Sequence, residues 1–149
     1  MRIDRFRWWH IAEVLPIEED LFGDEKWSPG MLWNELAQRH YYIVATEKTQ
    51  DQDQILGYAG LAITAPDESW VQNIGVRRDA QRRGIGRALL EELLAEATRR
   101  GVPKTLLEVA VNNAPAQTLY AKYDFEPVGI RRGYYQPSNT DALVMMRSA

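Results

Sequence analysis

The chain contains no cysteine in 149 residues, which excludes both a disulfide framework and a thiolate nucleophile. That absence agrees with a reducing compartment, and a cytoplasmic location is the expectation. No apolar run approaches the ~18 residues of a membrane span, and the N-terminus lacks the apolar centre of a signal peptide, so no membrane partner is expected. Basic charge is not in excess: the formal net charge is −3, which argues against a general nucleic-acid binder. Internal repeats and low-complexity linkers are missing as well, so residues 1–149 are expected to form a single domain. No metal site is expected. What remains is an ordinary globular composition, 45% hydrophobic and 26% charged.

Hydrophobic periodicity gives a coarse order of elements. Ile3 to Trp9 reads as a first strand, and Ile11, Val14, Leu15 and Leu21 mark a helix from Ile11 to Phe22, dented by Pro16. Ser28-Pro29 is a helix-start signal before a short amphipathic helix over Met31 to Gln38. Strands follow at Tyr41–Thr46, Ile55–Thr64 and Trp70–Val76, with a turn over Lys48 to Gln54 between the first two. Ile85 to Arg100 is the clearest helix: Ile85, Leu89, Leu93 and Ala97 recur every four residues, Leu90 and Leu94 widen the stripe, and Gly101 ends it. A strand at Thr105–Val111, a helix at Ala114–Tyr123, a strand starting at Glu126–Gly129 and a closing strand at Ala142–Met146 complete the order. The result, β-α-α-β-β-β-α-β-α-β-β, implies one mixed sheet with helices on its faces.

Charge is unevenly spread. Between Glu13 and Glu25 lie six acids (Glu13, Glu18, Glu19, Asp20, Asp24, Glu25) and no base; a solvated face would explain them equally well. Between Arg77 and Arg87 there are five arginines against the single acid Asp79. The second run contains Gln81-Arg82-Arg83-Gly84-Ile85-Gly86-Arg87, a glycine turn opening the best helix. Such a turn leaves backbone N–H groups unpaired with a positive dipole end behind them. Arginines at a helix start, with no carboxylate before Glu91, raise the free energy unless an anion is bound there. A pyrophosphate satisfies that condition. The loop is not a Walker loop, because no Gly-Lys-Ser/Thr follows, and it lacks the third glycine of a dinucleotide fingerprint.

Gln81-x-x-Gly84-x-Gly86 between a strand and a long helix resembles the coenzyme A pyrophosphate loop of the GNAT superfamily of N-acetyltransferases. Within the superfamily the chain most resembles the RimI-type ribosomal-protein-alanine N-acetyltransferases. Four stretches carry the resemblance: Gln81 to Leu90; Leu107-Glu108-Val109; Asn113-x-x-Ala116-x-x-Leu119-Tyr120; and Arg131-Arg132-Gly133-Tyr134-Tyr135 with Asp141-Ala142 behind it. It implies an α/β (mixed α+β) fold, a central mixed and mostly antiparallel sheet flanked by helices, with acetyl-CoA as co-substrate. By the same resemblance, Arg82, Arg83, Gly84, Ile85, Gly86 and Arg87 hold the pyrophosphate. Ile74, Gly75 and Val76 pair with the pantetheine arm, and Asn113, also a plausible helix N-cap, contacts the coenzyme. One departure is Asp124, where the family commonly has glycine before Phe125; aspartate tolerates the left-handed conformation that such a turn needs.

Acetyl transfer to an amine requires a neutral nucleophile and a proton for the departing thiolate. Glu108, a lone carboxylate in Leu106-Leu107-Glu108-Val109-Ala110-Val111, is either a surface-facing strand residue or a general base; the resemblance places it at the base position. Tyr120 is either a core tyrosine or, by the resemblance, the general acid. By the same resemblance, the acidic segment from Glu13 to Glu25, Glu18 and Glu19 within it, and a Tyr134-Tyr135 loop would form the two walls of the acceptor groove; the bland reading is that the aromatics are structural and the acids solvated. A basic peptide or ribosomal-protein N-terminus, alanine first, is the expected acceptor. Two alternatives stand beside this reading: a small-molecule amine acetyltransferase on the same fold, and a non-catalytic acyl-CoA-binding or arginine-patch nucleic-acid module.

Overall fold

The computed structural model describes residues 1–149. The apolar stripe from Ile85 forms α3 (Ile85–Arg99), and Leu89, Leu90 and Leu93 on it are completely buried. Each such leucine contributes about 1.5–3 kcal/mol by leaving water. Gly101 follows at φ +69°, in the left-handed region that stops the helix. The other helices are α1 (Ile11–Phe22), which keeps Pro16 inside it, α2 (Pro29–Ala37) and α4 (Ala114–Ala121). Ser28 caps α2 as its sequence implies, its Oγ accepting from Met31 N at 3.2 Å.

Seven strands form one sheet: β1 (Arg2–Arg5), β2 (Tyr41–Thr49), β3 (Gln52–Ala65), β4 (Glu68–Val76), β5 (Lys104–Ala110), β6 (Glu126–Tyr135) and β7 (Thr140–Ser148). They lie in the order β1-β2-β3-β4-β5-β7-β6, and every neighbouring pair is antiparallel except β4 with β5. The sheet is therefore mixed and mostly antiparallel, as expected. α3 covers one face over the larger core, which includes Ile43, Leu56, Leu61, Leu107 and Phe125. α1 and α2 cover the other over Phe6, Ile11, Val14, Leu32, Tyr42 and Tyr58. Gly60 is required there: a Cβ at this position would lie 2.1 Å from the Tyr42 ring.

Several edges differ from the sequence expectation by a residue or two, and four differences bear on the architecture. The first strand stops at Arg5, where its pairing with Ile43 ends; Trp8–His10 turn as a 3-10 helix, with Arg7 N donating to His10 Nδ1 at 2.8 Å. Trp8 then stacks on Trp33 with both rings largely exposed. The expected turn over Lys48 to Gln54 shrinks to Gln50-Asp51, both at positive φ, because polar strand ends can pair in an exposed hairpin. α4 ends at Ala121 rather than Tyr123, and Asp124 adopts φ +69°, the left-handed conformation anticipated for it. Tyr134-Tyr135 is not a loop: it is the end of β6, with Tyr135 opposite Thr140.

Candidate active site

The parallel ladder between β4 and β5 is only three residues long, Glu68 to Trp70 against Lys104 to Leu106. Immediately afterwards β4 bulges: Val71 pairs with Leu61 and Asn73 with Gly60, leaving Gln72 as an extra residue. A bulge bends its strand, and here the bend coincides with the point where β4 leaves β5. Beyond it, Asn73–Val76 and Leu107–Ala110 face each other without pairing. A cavity of about 680 Å³ lies in this opening. Ile74, Glu108, Asn113, Tyr120, Tyr134 and Tyr135 all line it, so the structure brings these predicted residues together from β4, β5, α4 and β6.

Alternation along β5 sends Leu107 and Val109 into the core and turns Glu108 to the cavity. Its side chain is 11% exposed, and Oε1 sits 3.2 Å from Arg131 Nη1. Oε2 is buried and accepts no hydrogen bond of ordinary geometry within the protein, although the Tyr134 phenol lies near enough to the carboxylate to interact with it. An unpartnered buried carboxylate oxygen is costly in a resting protein. It is a place for a donor to arrive. The Tyr134 phenol beside it is pushed up, first by burial and then by the Glu108 carboxylate.

Tyr120 is buried against Phe125, edge to face, and its hydroxyl makes no hydrogen bond within the protein. Burial pushes its phenol up to about 12. Tyr135 is likewise pushed up to about 12, by burial first and then by Glu108 and Glu25. Asn113 caps α4, its side chain accepting from Ala116 N at 3.3 Å, and still lines the cavity. The helix-cap reading of this residue holds.

At the far end of the opening is the glycine turn. None of the backbone amides from Arg82 through Arg87 donates a hydrogen bond within the protein; the first to do so is Ala88, to Gly84 O at 3.0 Å. Arg82 and Gly84 both have positive φ, 65° and 78°, which turns consecutive N–H groups toward one concavity. A Cβ at Gly84 meets nothing within 4 Å, so the concavity is open to solvent. The arginines are less free than their sequence suggests. Arg77 pairs with Asp79, Arg78 with Asp20 and Arg83 with Glu47, while Arg87 Nε donates to Tyr123 Oη at 3.2 Å. Arg82 alone of the five has no protein partner.

The acidic segment divides in the same way. Glu18 is not a wall residue: it is completely buried under β3 and β4. Its oxygens accept from Tyr58 Oη at 2.7 Å, Asn73 Nδ2 at 2.8 Å and Trp27 N at 2.9 Å. Its position under the bulge and on the chain that carries Trp27 makes it a support for the cavity rather than a surface of it. Gly75 belongs to this arrangement, since a Cβ there would lie 2.7 Å from the Tyr58 hydroxyl. Glu19 is exposed and does not reach the cavity; Asp24 and Glu25 do. Sequence reasoning also passed over Arg131 and Trp70. The Arg131 guanidinium lies 5.5 Å from the Trp70 ring centroid and 5.7 Å from that of Tyr134. For Arg131 the only local signal is its place in the Arg-Arg-Gly-Tyr-Tyr stretch.

Comparison with known proteins agrees with this geometry. The family model described as Acetyltransferase (GNAT) family matches residues 4–125. A Mycobacterium tuberculosis protein, N-alpha-acetyltransferase RimI, is 42% identical over 137 residues, covering 89% of this chain and 83% of that one. A Bacillus subtilis protein named putative [ribosomal protein bS18]-alanine N-acetyltransferase is 29% identical, covering 91% of this chain and 87% of its own. Among solved structures, the ribosomal-protein-S18-alanine N-acetyltransferase from Escherichia coli superposes with a TM-score of 0.87 at 30% identity, covering 99% of this chain and 92% of that one. No helix is long and apolar enough to cross a membrane. With a matching family model over most of its length and a RimI relative at this identity, the chain belongs to the GNAT family of acyltransferases, as an N-acetyltransferase of RimI type.

Proposed function

We propose that the protein acetylates the free α-amine of a protein N-terminus, alanine first, on a ribosomal protein of the S18 kind or a similarly basic peptide. The observation that carries this reading is the unpartnered Glu108 Oε2, buried in a cavity that Tyr120 also lines. Family membership makes acetyl-CoA the donor, and it supplies an activated acetyl thioester. The residues present fit it. The Arg82–Arg87 amides and the Arg82 side chain suit a pyrophosphate, and the unpaired edge of Ile74, Gly75 and Val76 suits an amide-bearing arm that adds as a strand would.

In this reading Glu108 accepts a proton from the attacking amine, directly or through one water, as the new C–N bond forms. Tyr120 gives its proton to the sulfur as the C–S bond breaks. A phenol held near 12 is fully protonated at neutral pH and so ready to donate. The α-amine is the favoured acceptor because its pKa of ~8, against ~10.4 for lysine, leaves a far larger neutral fraction at pH 7. Tyr134 and Tyr135 narrow the acceptor end, which suits a small first residue. Glu18 drops out of direct recognition, and Asp24 and Glu25 take the place of the acidic rim.

The test is incubation with labelled acetyl-CoA and a panel of alanine-, serine- and methionine-headed peptides, lysine side-chain peptides and polyamines. Label on the α-amine of the alanine peptide is the expected result. Label on a polyamine in preference to every peptide assigns the protein to small-molecule acetylation instead.

A further inference from the structure

Two acids are buried in this protein, Glu18 and Glu35, and their partners differ in kind. Glu35 accepts from Tyr42 Oη at 3.0 Å and lies 3.0 Å from His40 Nδ1, and neither of these residues lines the cavity. Two of the three partners of Glu18 do line it. Glu18 Oε1 accepts from Asn73 Nδ2 and Tyr58 Oη, and Oε2 accepts from Trp27 N. Asn73 is the first residue beyond the Gln72 bulge and opens the edge of β4 that is unpaired toward β5. Trp27 belongs to the segment between α1 and α2, which lines the cavity with Asp24, Glu25 and Lys26. One oxygen therefore holds the β4 edge and the other holds the acceptor wall.

The acceptor wall has little else that fixes its direction. Trp27 N donates to Glu18 and to no backbone carbonyl, while Lys26 N donates back to Gly23 O within the same segment. Ser138 Oγ donates to Glu25 Oε1 at the exposed rim, where water competes for both groups. The Trp27 side chain packs against the smaller core, but apolar packing is non-directional. A hydrogen bond to a carboxylate oxygen that is itself locked by two donors from the sheet supplies the direction.

We propose that Glu18 is a positioning residue for acetyl transfer: acting through Trp27 and Asn73, it sets the acceptor wall against the β4 edge and so aligns the amine with the thioester. This inference rests on the proposed donor and acceptor ends of the cavity. Glu18 is completely buried and touches neither substrate. Its effect is on alignment, where an error of about 1 Å can lower a rate by about 10²-fold. The peptide feels that error; the pyrophosphate end of the coenzyme, at the Arg82–Arg87 amides, does not. Glutamine can keep the tie. Trp27 N is a fixed backbone donor and takes the amide oxygen, whereas the Asn73 amide can turn over and the Tyr58 hydroxyl can rotate, so that both accept from the glutamine NH2. Leucine fills the space and ties nothing.

The experiment measures kcat and KM for an alanine-headed peptide, and acetyl-CoA affinity by titration calorimetry. It compares the wild type, Glu18→Leu, Glu18→Gln and the control Glu35→Leu, each at a temperature where circular dichroism shows it folded. Glu18→Leu is expected to lose about 10–100-fold in kcat/KM for the peptide, with coenzyme affinity within about threefold of the wild type. Glu18→Gln should recover to within a few-fold. Glu35→Leu, which also strips a buried acid of its partners, should leave both constants near wild type although the fold is less stable. Should either leucine variant fail to fold, Glu18→Asp and Glu35→Asp carry the same comparison: one methylene shorter, aspartate at position 18 can keep one side of the tie but not both, and a loss of about tenfold is expected. Equal kinetic losses at positions 18 and 35 overturn the proposal, because lost stability would then be the agent. So does coenzyme affinity that falls in parallel, or a Glu18→Gln protein as impaired as Glu18→Leu. A wild type that acetylates no amine overturns the proposed function and this inference with it; an active wild type beside an unimpaired Glu18→Leu overturns this inference alone.

Discussion

Along Arg82 to Arg87 the groups turned outward are backbone amides from one short stretch, whereas around Glu108 they are side chains from β4, β5, β6 and α4. The donor end is built by conformation: two residues at positive φ and a helix behind them. The acceptor end is built by convergence, with each side chain placed by the packing of a different element. A site of the first kind is sensitive to a Cβ and indifferent to much of the side-chain chemistry. A site of the second kind is sensitive to single atoms and to whatever holds the elements in register.

The comparison is broken most sharply at Glu108. Glu108→Gln should lower kcat by about 10²–10⁴ with the affinity for acetyl-CoA nearly unchanged, since a general base acts in the transition state. Steady-state rates and coenzyme titration measure the two separately; a loss under tenfold would reduce Glu108 to orienting the amine. Tyr120→Phe should also slow turnover while the ring preserves packing against Phe125. Because burial holds the Tyr120 phenol near 12, the wild-type kcat should show no falling limb between pH 8 and 10. A fall in that window would mean that the proton donor is another group.

Next in size is the buried support. Glu18→Ala strands three donors, the Tyr58 hydroxyl, the Asn73 amide and Trp27 N. At about 1–3 kcal/mol per unsatisfied buried group, a loss of about 3 kcal/mol or more is expected, or roughly 10 °C in Tm. Glu19→Ala, one residue away and exposed, should stay within about 0.5 kcal/mol by thermal denaturation. Equal effects from the two would contradict the placement of Glu18.

At the donor end, Gly84→Val should weaken acetyl-CoA binding by tenfold or more, because φ +78° is strained for valine and its side chain stands in the concavity. Arg82→Ala should weaken it only a few-fold, since the proposed cradle is backbone. Isothermal titration decides the order of the two; the reverse order would make the site one of side-chain charge. The smallest effect is at the acidic rim. Asp24→Asn with Glu25→Gln should raise KM for a basic alanine-headed peptide a few-fold at low salt and leave a neutral peptide unaffected. The difference should fade as salt screens it over about 8–10 Å.

Much of this molecule is legible in its sequence where the cause is local. α1, α3, the Ser28 cap and the Asp124 turn depend on periodicity, on a capping oxygen and on backbone sterics within a few residues. The glycine turn is legible for the same reason. Strand ends are less so: β1 leaves its ladder at Arg5 although β2 runs on to Tyr41, and β2 and β3 continue through polar residues because each supplies the other's hydrogen bonds. Glu18 and Glu19 are neighbours with one chemistry; the stripe of Ile11, Val14, Leu15 and Leu21 puts position 18 on the apolar face, but no local rule supplies partners for a carboxylate there. Tyr58, Asn73 and Trp27, distant in sequence except for the last, supply them only in the folded chain.

The sequence by itself determined the order of elements and the phosphate-type turn, because periodicity and backbone conformation act over a few residues; the two ionisable groups proposed for catalysis were singled out by the family resemblance. Only the tertiary structure decided that β4 bends away from β5 at Gln72, that Glu108 keeps one buried oxygen free of an ordinary hydrogen bond, and that the Arg131 guanidinium comes to lie beside Glu108, Trp70 and Tyr134. Those features depend on strand register and on contacts between residues tens of positions apart, whose energies exist only once the chain has closed on itself.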